Sequence, residues 1–112
     1  MKNADLKGTF AFHKWGTTQN GEPVVGIGLV TFNGKKETST LQQRSVNGAL
    51  DNTPPSLGTP TPGTYAVSGN TLLVFDSNGD PLSQGVIVNR NEYHAMSVSG
   101  STVVVVARRI KP

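Results

Sequence analysis

The sequence predicts an all-β protein that folds as an eight-stranded antiparallel up-and-down β-barrel with no long helix. Three observations support this fold class. Eight short segments alternate apolar and polar residues, as half-buried strands do. Turn-forming residues separate the segments, and the chain holds 13 glycines and 7 prolines. No stretch keeps the apolar spacing of a long helix. A barrel of eight strands has room for about one small ligand.

Several predicted strands are joined by tight turns. Asn33-Gly34 follows the second strand and is a strong hairpin signal, because both central residues of a type I′ turn need positive φ. Gly69-Asn70 and Ser99-Gly100 suggest similar turns. The second and eighth strands are apolar on both faces, whereas the third is mostly polar. The strands are predicted over residues 8–15, 23–32, 36–46, 63–68, 71–76, 82–89, 92–98 and 101–110.

The chain is expected to form one domain over residues 6–112. Residues 1–5 are expected to be a disordered or artificially added N-terminus. Residues 47–62 contain four prolines and are predicted to form a long loop, either a functional lid or a disordered excursion.

Composition limits the possible partners. The net charge is +3, and the basic residues are scattered rather than arranged in a stripe with exposed aromatics, so no nucleic-acid partner is expected. The longest apolar run, residues 103–107, is too short to span a membrane as a helix. No cysteine is present, and residues 1–5 carry no signal peptide. A periplasmic or secreted location is nevertheless favoured.

No cofactor and no metal site is predicted. Residues 76–80 place oxygen donors as a calcium loop does, but Pro81 and Ile87 stand where a glycine and an acid are needed. A β-turn accounts for these residues more simply.

The first predicted strand opens with Gly8-Thr9-Phe10, a glycine followed after one residue by an aromatic. At the start of an eight-stranded meander, this motif resembles the G-x-W of the calycins, which are the lipocalins, fatty-acid-binding proteins and avidins. The resemblance covers residues 6–110 and implies a ligand-binding barrel in which Arg108 or Arg109 packs on Phe10. The lipocalin C-terminal helix and the avidin tryptophans are missing. Allene oxide cyclase and dirigent barrels are also similar, and they would imply an enzyme.

The longer predicted loops share one end of the barrel, which should form an open mouth. His94 and Tyr65, the latter predicted to lie at the mouth end of its strand, are the candidate catalytic residues, since an imidazole and a phenol can transfer protons. If Phe10 points inward, strand alternation turns His13 and Trp15 outward unless a bulge intervenes. The candidate ligand-binding residues, chosen mainly by their position near the mouth, are His13, Trp15, Arg44, Phe75 and Met96.

The leading functional hypothesis is binding of a small, partly apolar molecule in the mouth of the barrel. The alternative is an enzyme of cyclase, isomerase or lyase type that uses His and Tyr for proton transfer. A third interpretation is a structural module of a secreted assembly. The second and eighth strands, apolar on both faces, also suggest a homo-oligomer.

Overall fold

The computed structural model describes residues 2–54 and 57–112, and it confirms the predicted fold class. Eight antiparallel strands form a closed ring in the order β1–β2–β3–β5–β6–β7–β8–β9, and β9 pairs again with β1. The two-residue β4 pairs only with the end of β3. The strands are β1 (Lys7–Thr17), β2 (Pro23–Asn33), β3 (Lys36–Val46), β4 (Ala49–Leu50), β5 (Thr61–Ser68), β6 (Thr71–Asp76), β7 (Pro81–Asn89), β8 (Glu92–Ser97) and β9 (Thr102–Lys111).

Strand alternation separates the inside of the barrel from its outer wall. Burial in β2 alternates without exception, and Val24, Val30 and Phe32 point inward. Phe10 of β1 is fully buried, whereas His13 and Trp15 on the opposite face are exposed. Of the two facings that the sequence left open for β1, the structure therefore has Phe10 inside.

Large side chains fill one end of the barrel, which we call the closed end. The Phe32 ring makes edge contacts with Tyr65 and Phe10, at centroid distances of 4.7 and 5.6 Å. The short turns after β2, β5 and β7 also lie at this end, because successive antiparallel strands alternate in direction. The core also includes Leu6, Leu72, Ile87, Tyr93 and Ala107.

The N-terminal residues cover the closed end. Residues 3–5, part of the segment for which disorder was expected, form a 3-10 turn. Asn3 Nδ2 donates a hydrogen bond to the Tyr65 carbonyl oxygen at 2.7 Å, and Val67 N–H donates to Asn3 Oδ1 at 2.6 Å. Leu6 is consequently buried.

The opposite end, the mouth, is bordered by longer connections. The predicted loop 47–62 lies here; it includes β4, and its Pro55 and Ser56 lie outside the described residues. Asp51 N–H donates to the Arg44 carbonyl oxygen at 2.8 Å, and Gly58 N–H donates to that of Leu41 at 2.7 Å. These bonds hold the described parts of the loop against β3.

Candidate functional site

A cavity of about 280 Å³ lies inside the barrel between the closed end and the mouth, and we call it the inner cavity. Its walls are mainly apolar, with a few polar groups, as is usual for small-molecule sites. The apolar lining includes Phe12, Val30, Val74, Val103 and Val105, and the polar lining includes Lys14, Glu37, Ser39, Ser83, Ser97 and Tyr93.

Glu37 lies at the inner end of this cavity. The hairpin between β2 and β3 pairs Glu37 with Phe32, and paired residues of antiparallel strands share a face, so Glu37 points inward. Only 4% of Glu37 is exposed. Gly63 lies opposite Glu37 on β5, and a Cβ there would approach Glu37 Oε2 to 3.0 Å. A Cβ there would come even closer, to 2.3 Å, to the backbone oxygen of Phe75, so the glycine accommodates the neighbouring strand as well as the carboxylate.

The surroundings of Glu37 favour its neutral form. Burial raises the pKa of this carboxyl from 4.5 to about 7, and a hydrogen bond with the Ser39 side chain partly opposes the increase. Among residues 2–54 and 57–112, no ion pair neutralises Glu37. Burial also raises the pKa of Tyr93, and the nearby Glu37 charge adds to this effect. Burial therefore moves the titration of Glu37 from the acidic range toward neutral pH.

Lys14 and Arg44 lie nearer the mouth. Both are paired in register with Gly26, from β1 and β3 respectively, so they flank it on the inner face. A register shift after Ile27 pairs Ile27 with Gln43 but Gly28 with Leu41. This irregularity changes the phase of β3, and Arg44 consequently shares the inner face with Leu41.

The two basic groups differ in their partners. Arg44 Nε and Nη2 donate hydrogen bonds to Asp51 Oδ2. Hydrogen bonds from Thr53 and Arg44 lower the pKa of Asp51 to about 2. Burial lowers the pKa of Lys14, and the Arg44 charge adds to this effect.

A second cavity of about 380 Å³, which we call the mouth cavity, adjoins the inner cavity. Both cavities are lined by Lys14, Ser101 and Val103.

Tyr65 does not lie at the mouth, where its place in the sequence suggested. β5 pairs only with residues 36–39 of β3, so it begins well below the rim and Tyr65 falls in the closed end. Its hydroxyl lies 2.8 Å from the Leu6 carbonyl oxygen and 3.0 Å from that of Asn3, and it accepts the Gly34 N–H at 2.8 Å. These contacts indicate a structural role.

His94 lies on the outer wall, so the barrel wall separates it from Tyr65. Its side chain is 51% exposed and bonds to Glu92 Oε2 at 2.8 Å. The pair of predicted catalytic residues is therefore not brought together. Phe75 is paired with the exposed Thr64 and does not line the inner cavity.

Three of the predicted residues, Trp15, His94 and Met96, line a groove of about 460 Å³ on the outer wall. His13 stacks on Trp15 there, with ring centroids 5.1 Å apart. Side chains alternate between the two faces of a strand, and Trp15, His94 and Met96 occupy positions that face outward. Of the predicted set, only Arg44 faces the mouth cavity.

Sequence reasoning overlooked Glu37, Lys14 and Tyr93. A signal for Glu37 was present, because the Asn33-Gly34 hairpin puts it on the same face as Val30 and Phe32. Lys14 is four residues from Phe10 on β1, so strand alternation puts both side chains on the same, inward face. These signals are informative only once the inward face of β1 and β2 is known.

Within residues 2–54 and 57–112, no helix combines the length and apolar character needed to cross a bilayer. In the same ranges, no group of three or more His, Asp or Glu side chains is placed to hold a metal ion.

Comparisons with known proteins bear on the fold. No family model matches the chain, and no curated protein matches it. Among solved structures, the chain is similar to a redesigned β-barrel, with a TM-score of 0.52 and 16% identity over 96% of this chain and 93% of that one. At this identity the likeness shows the barrel fold alone.

Proposed function

We propose that this protein binds a small, partly apolar molecule in the inner cavity. The observation that carries the proposal is a cavity of about 280 Å³ that has apolar walls and a buried carboxyl, Glu37, at its inner end. This volume is near the lower limit of about 300 Å³ for typical ligand sites, so a compact ligand is expected. A barrel filled by its own side chains would instead have favoured a structural module.

The calycin resemblance is part of this proposal. Phe10, the aromatic of the G-x-aromatic motif, is buried in the closed end and helps to seal it. Arg109 is paired with Phe10 in the β1–β9 register. Both positions agree with the resemblance, and in such a barrel the ligand would enter through the mouth.

Titration with 1-hexanol, followed by NMR, tests the proposal. We expect the largest amide shifts at inward-facing residues such as Ser39, Ser83 and Val105. Neighbouring outward residues, for example Ile27 and Val86, should shift much less. Shifts concentrated on the outer wall would refute the proposal.

A matched pair of variants on β7 adds a second test. Ser83 is half-buried and lines the inner cavity, whereas Gln84 next to it faces outward. Ser83→Phe fills cavity space and should weaken hexanol binding by about ten-fold or more, equivalent to about 1.4 kcal/mol. Gln84→Phe should leave it unchanged. Equal effects of the two substitutions would contradict a site inside the barrel.

The alternative function is an enzyme of cyclase, isomerase or lyase type. Because Tyr65 and His94 lie on different sides of the wall, we assign proton transfer in this alternative to Glu37 and Tyr93. A carboxyl with a pKa near 7 suits general acid–base catalysis at neutral pH. Under this alternative, Glu37→Gln abolishes turnover of a substrate but retains hexanol binding.

We also propose that copies of the chain associate through the outer wall of β1, β2, β8 and β9. One apolar row crosses these strands in register and comprises Val25, Trp15, Val104 and Met96. Each of these side chains is at least 40% exposed in the single chain. A contiguous apolar row of this kind commonly marks a protein interface.

A further inference from the structure

We propose that the molecule bound in the barrel is amphoteric, with a basic nitrogen that pairs with Glu37 and an acidic group that pairs with Lys14. This inference rests on the proposed function and specifies its ligand class. The two side chains line the inner cavity together, one at its inner end and one toward the mouth.

Glu37 presents an acceptor that lacks a cationic partner. Its carboxylate lies among Phe32, Tyr93 and Gly63, and ion pairs within residues 2–54 and 57–112 do not involve it. A buried carboxylate is strongly disfavoured unless a charge pairs with it. A protonated amine supplies that charge together with N–H donors. The inner end is therefore suited to a basic nitrogen.

Lys14 presents the opposite charge. Arg44, its neighbour across Gly26, is held by Asp51, whereas no ion pair of Lys14 occurs in the described ranges. Gly26 leaves room for the lysine, since a Cβ there would lie 2.8 Å from Lys14 Cε. Glu22 also lines the mouth, but its carboxylate accepts a hydrogen bond from Asn47 at 2.9 Å. An acidic ligand group would thus meet Lys14.

This charge arrangement disfavours ligands that carry one charge. A simple cation would pass Lys14, which forms no ion pair within residues 2–54 and 57–112, before it reached Glu37. A simple anion would give Glu37 no counter-charge, so this ligand would gain no ion pair at the inner end of the cavity. An amphoteric molecule satisfies both groups, and its apolar middle would contact Phe12, Val74 and Val105.

The register also limits ligand length. Glu37 is paired with Phe32 and Lys14 with Gly26, so six residues of β2, or roughly 20 Å of strand, separate their backbone levels. Both side chains line the space between these levels. Lys14 Cε lies over Gly26 and Glu37 Oε2 lies over Gly63, so each charged end is at the level of its own backbone. A ligand that bridges them with both side chains turned toward it along the barrel axis would carry its charges roughly 10 Å apart.

Four probes of equal chain length test the inference: 8-aminooctanoate, octylamine, octanoate and 1-octanol. Affinities are measured by isothermal titration calorimetry, and NMR shifts locate each binding site. The intact wild-type chain should bind 8-aminooctanoate about ten-fold more tightly than either singly charged probe, because each charge-assisted contact adds affinity.

Two variants assign the contacts. Glu37→Gln and Lys14→Met should each reduce the affinity for 8-aminooctanoate about ten-fold, while 1-octanol binding is retained. Glu92→Gln on the outer wall and Lys35→Met in the exposed β2–β3 turn serve as matched controls that should have little effect, and circular dichroism checks folding. If a variant does not fold, the comparison of probes on the wild-type chain still decides the matter.

The outcomes separate the two proposals. If octylamine or octanoate binds the wild-type chain as tightly as 8-aminooctanoate, the amphoteric inference is overturned. Binding of 1-octanol in the inner cavity without a preference for 8-aminooctanoate also overturns it, but supports the proposed function. If no probe shifts the resonances of inward-facing residues, both proposals are refuted.

Discussion

Replacing Glu37 by Gln should make the protein more stable at neutral and alkaline pH. Burial raises the pKa of Glu37 from 4.5 to about 7, so the folded chain binds this proton more tightly than the unfolded chain does. Between these two values the folded state holds more protons, and the free energy of unfolding therefore falls as pH rises. Above pH 7, Glu37 lowers that free energy by about 3 kcal/mol, since each pKa unit corresponds to about 1.4 kcal/mol.

Urea unfolding, followed by circular dichroism at several pH values, measures this effect. Near pH 4 the wild-type and Glu37→Gln chains should have similar free energies of unfolding, because Glu37 is mostly protonated in both states. By about pH 8 the variant should be more stable by about 3 kcal/mol, with most of the change between pH 4.5 and 7. All other ionisable groups are common to both chains, so the difference between the chains isolates Glu37.

Glu92→Gln provides a control of opposite sign. Hydrogen bonding with His94 lowers the pKa of Glu92, so its contribution to stability is present above the unfolded pKa and lost as pH falls through the folded one. This variant should therefore be less stable than the wild type at neutral pH, and the difference should shrink in acid. If the advantage of Glu37→Gln does not depend on pH, the placement of Glu37 in an apolar cavity is refuted.

Two further predictions concern the closed end and the outer wall. Tyr65→Phe should lower the free energy of unfolding by about 1–3 kcal/mol, because the Gly34 N–H and the Leu6 carbonyl lose their partner. Chemical denaturation measures the loss, and a variant as stable as the wild type would contradict the structural role of Tyr65. Val105→Lys should unfold the barrel, since Val105 lines the inner cavity, whereas Val104→Lys should yield a folded monomer in light scattering. A wild-type chain that is itself monomeric would refute the proposed self-association.

The fold could be predicted from sequence because its signals are local. Strand alternation in β2 matches the burial of every residue along it. The glycines in the predicted hairpins, Gly34, Gly69 and Gly100, all have positive φ. Asn33 does not, so the turn after β2 is present but is not the type I′ turn that was predicted with Asn33 and Gly34 as its central residues. Such patterns depend on near neighbours in the chain, and one sequence contains them in full.

The site could not be predicted because it depends on register between distant strands. β2 carries Val25, Ile27 and Leu29 on its outer face, so its apolar pattern does not distinguish inside from outside. The stagger of β5 against β3 moves Tyr65 to the closed end, and the irregularity near Gln43 turns Arg44 inward. Neither feature has a local sequence signature.

Stability and binding are divided between the two ends of this barrel. The closed end holds the aromatic cluster of Phe10, Phe32, Tyr65 and Tyr93, and burial of such rings is a large favourable contribution to folding. The half toward the mouth holds Lys14, several serines and empty volume, which contribute little to folding. Glu37 lies at the boundary, where its ionised form opposes folding at neutral pH. A group that destabilises the empty barrel can be stabilised by a ligand of opposite charge, because binding to the folded state alone shifts the equilibrium toward it. The charge at this boundary is therefore the feature through which ligand binding and folding would be coupled.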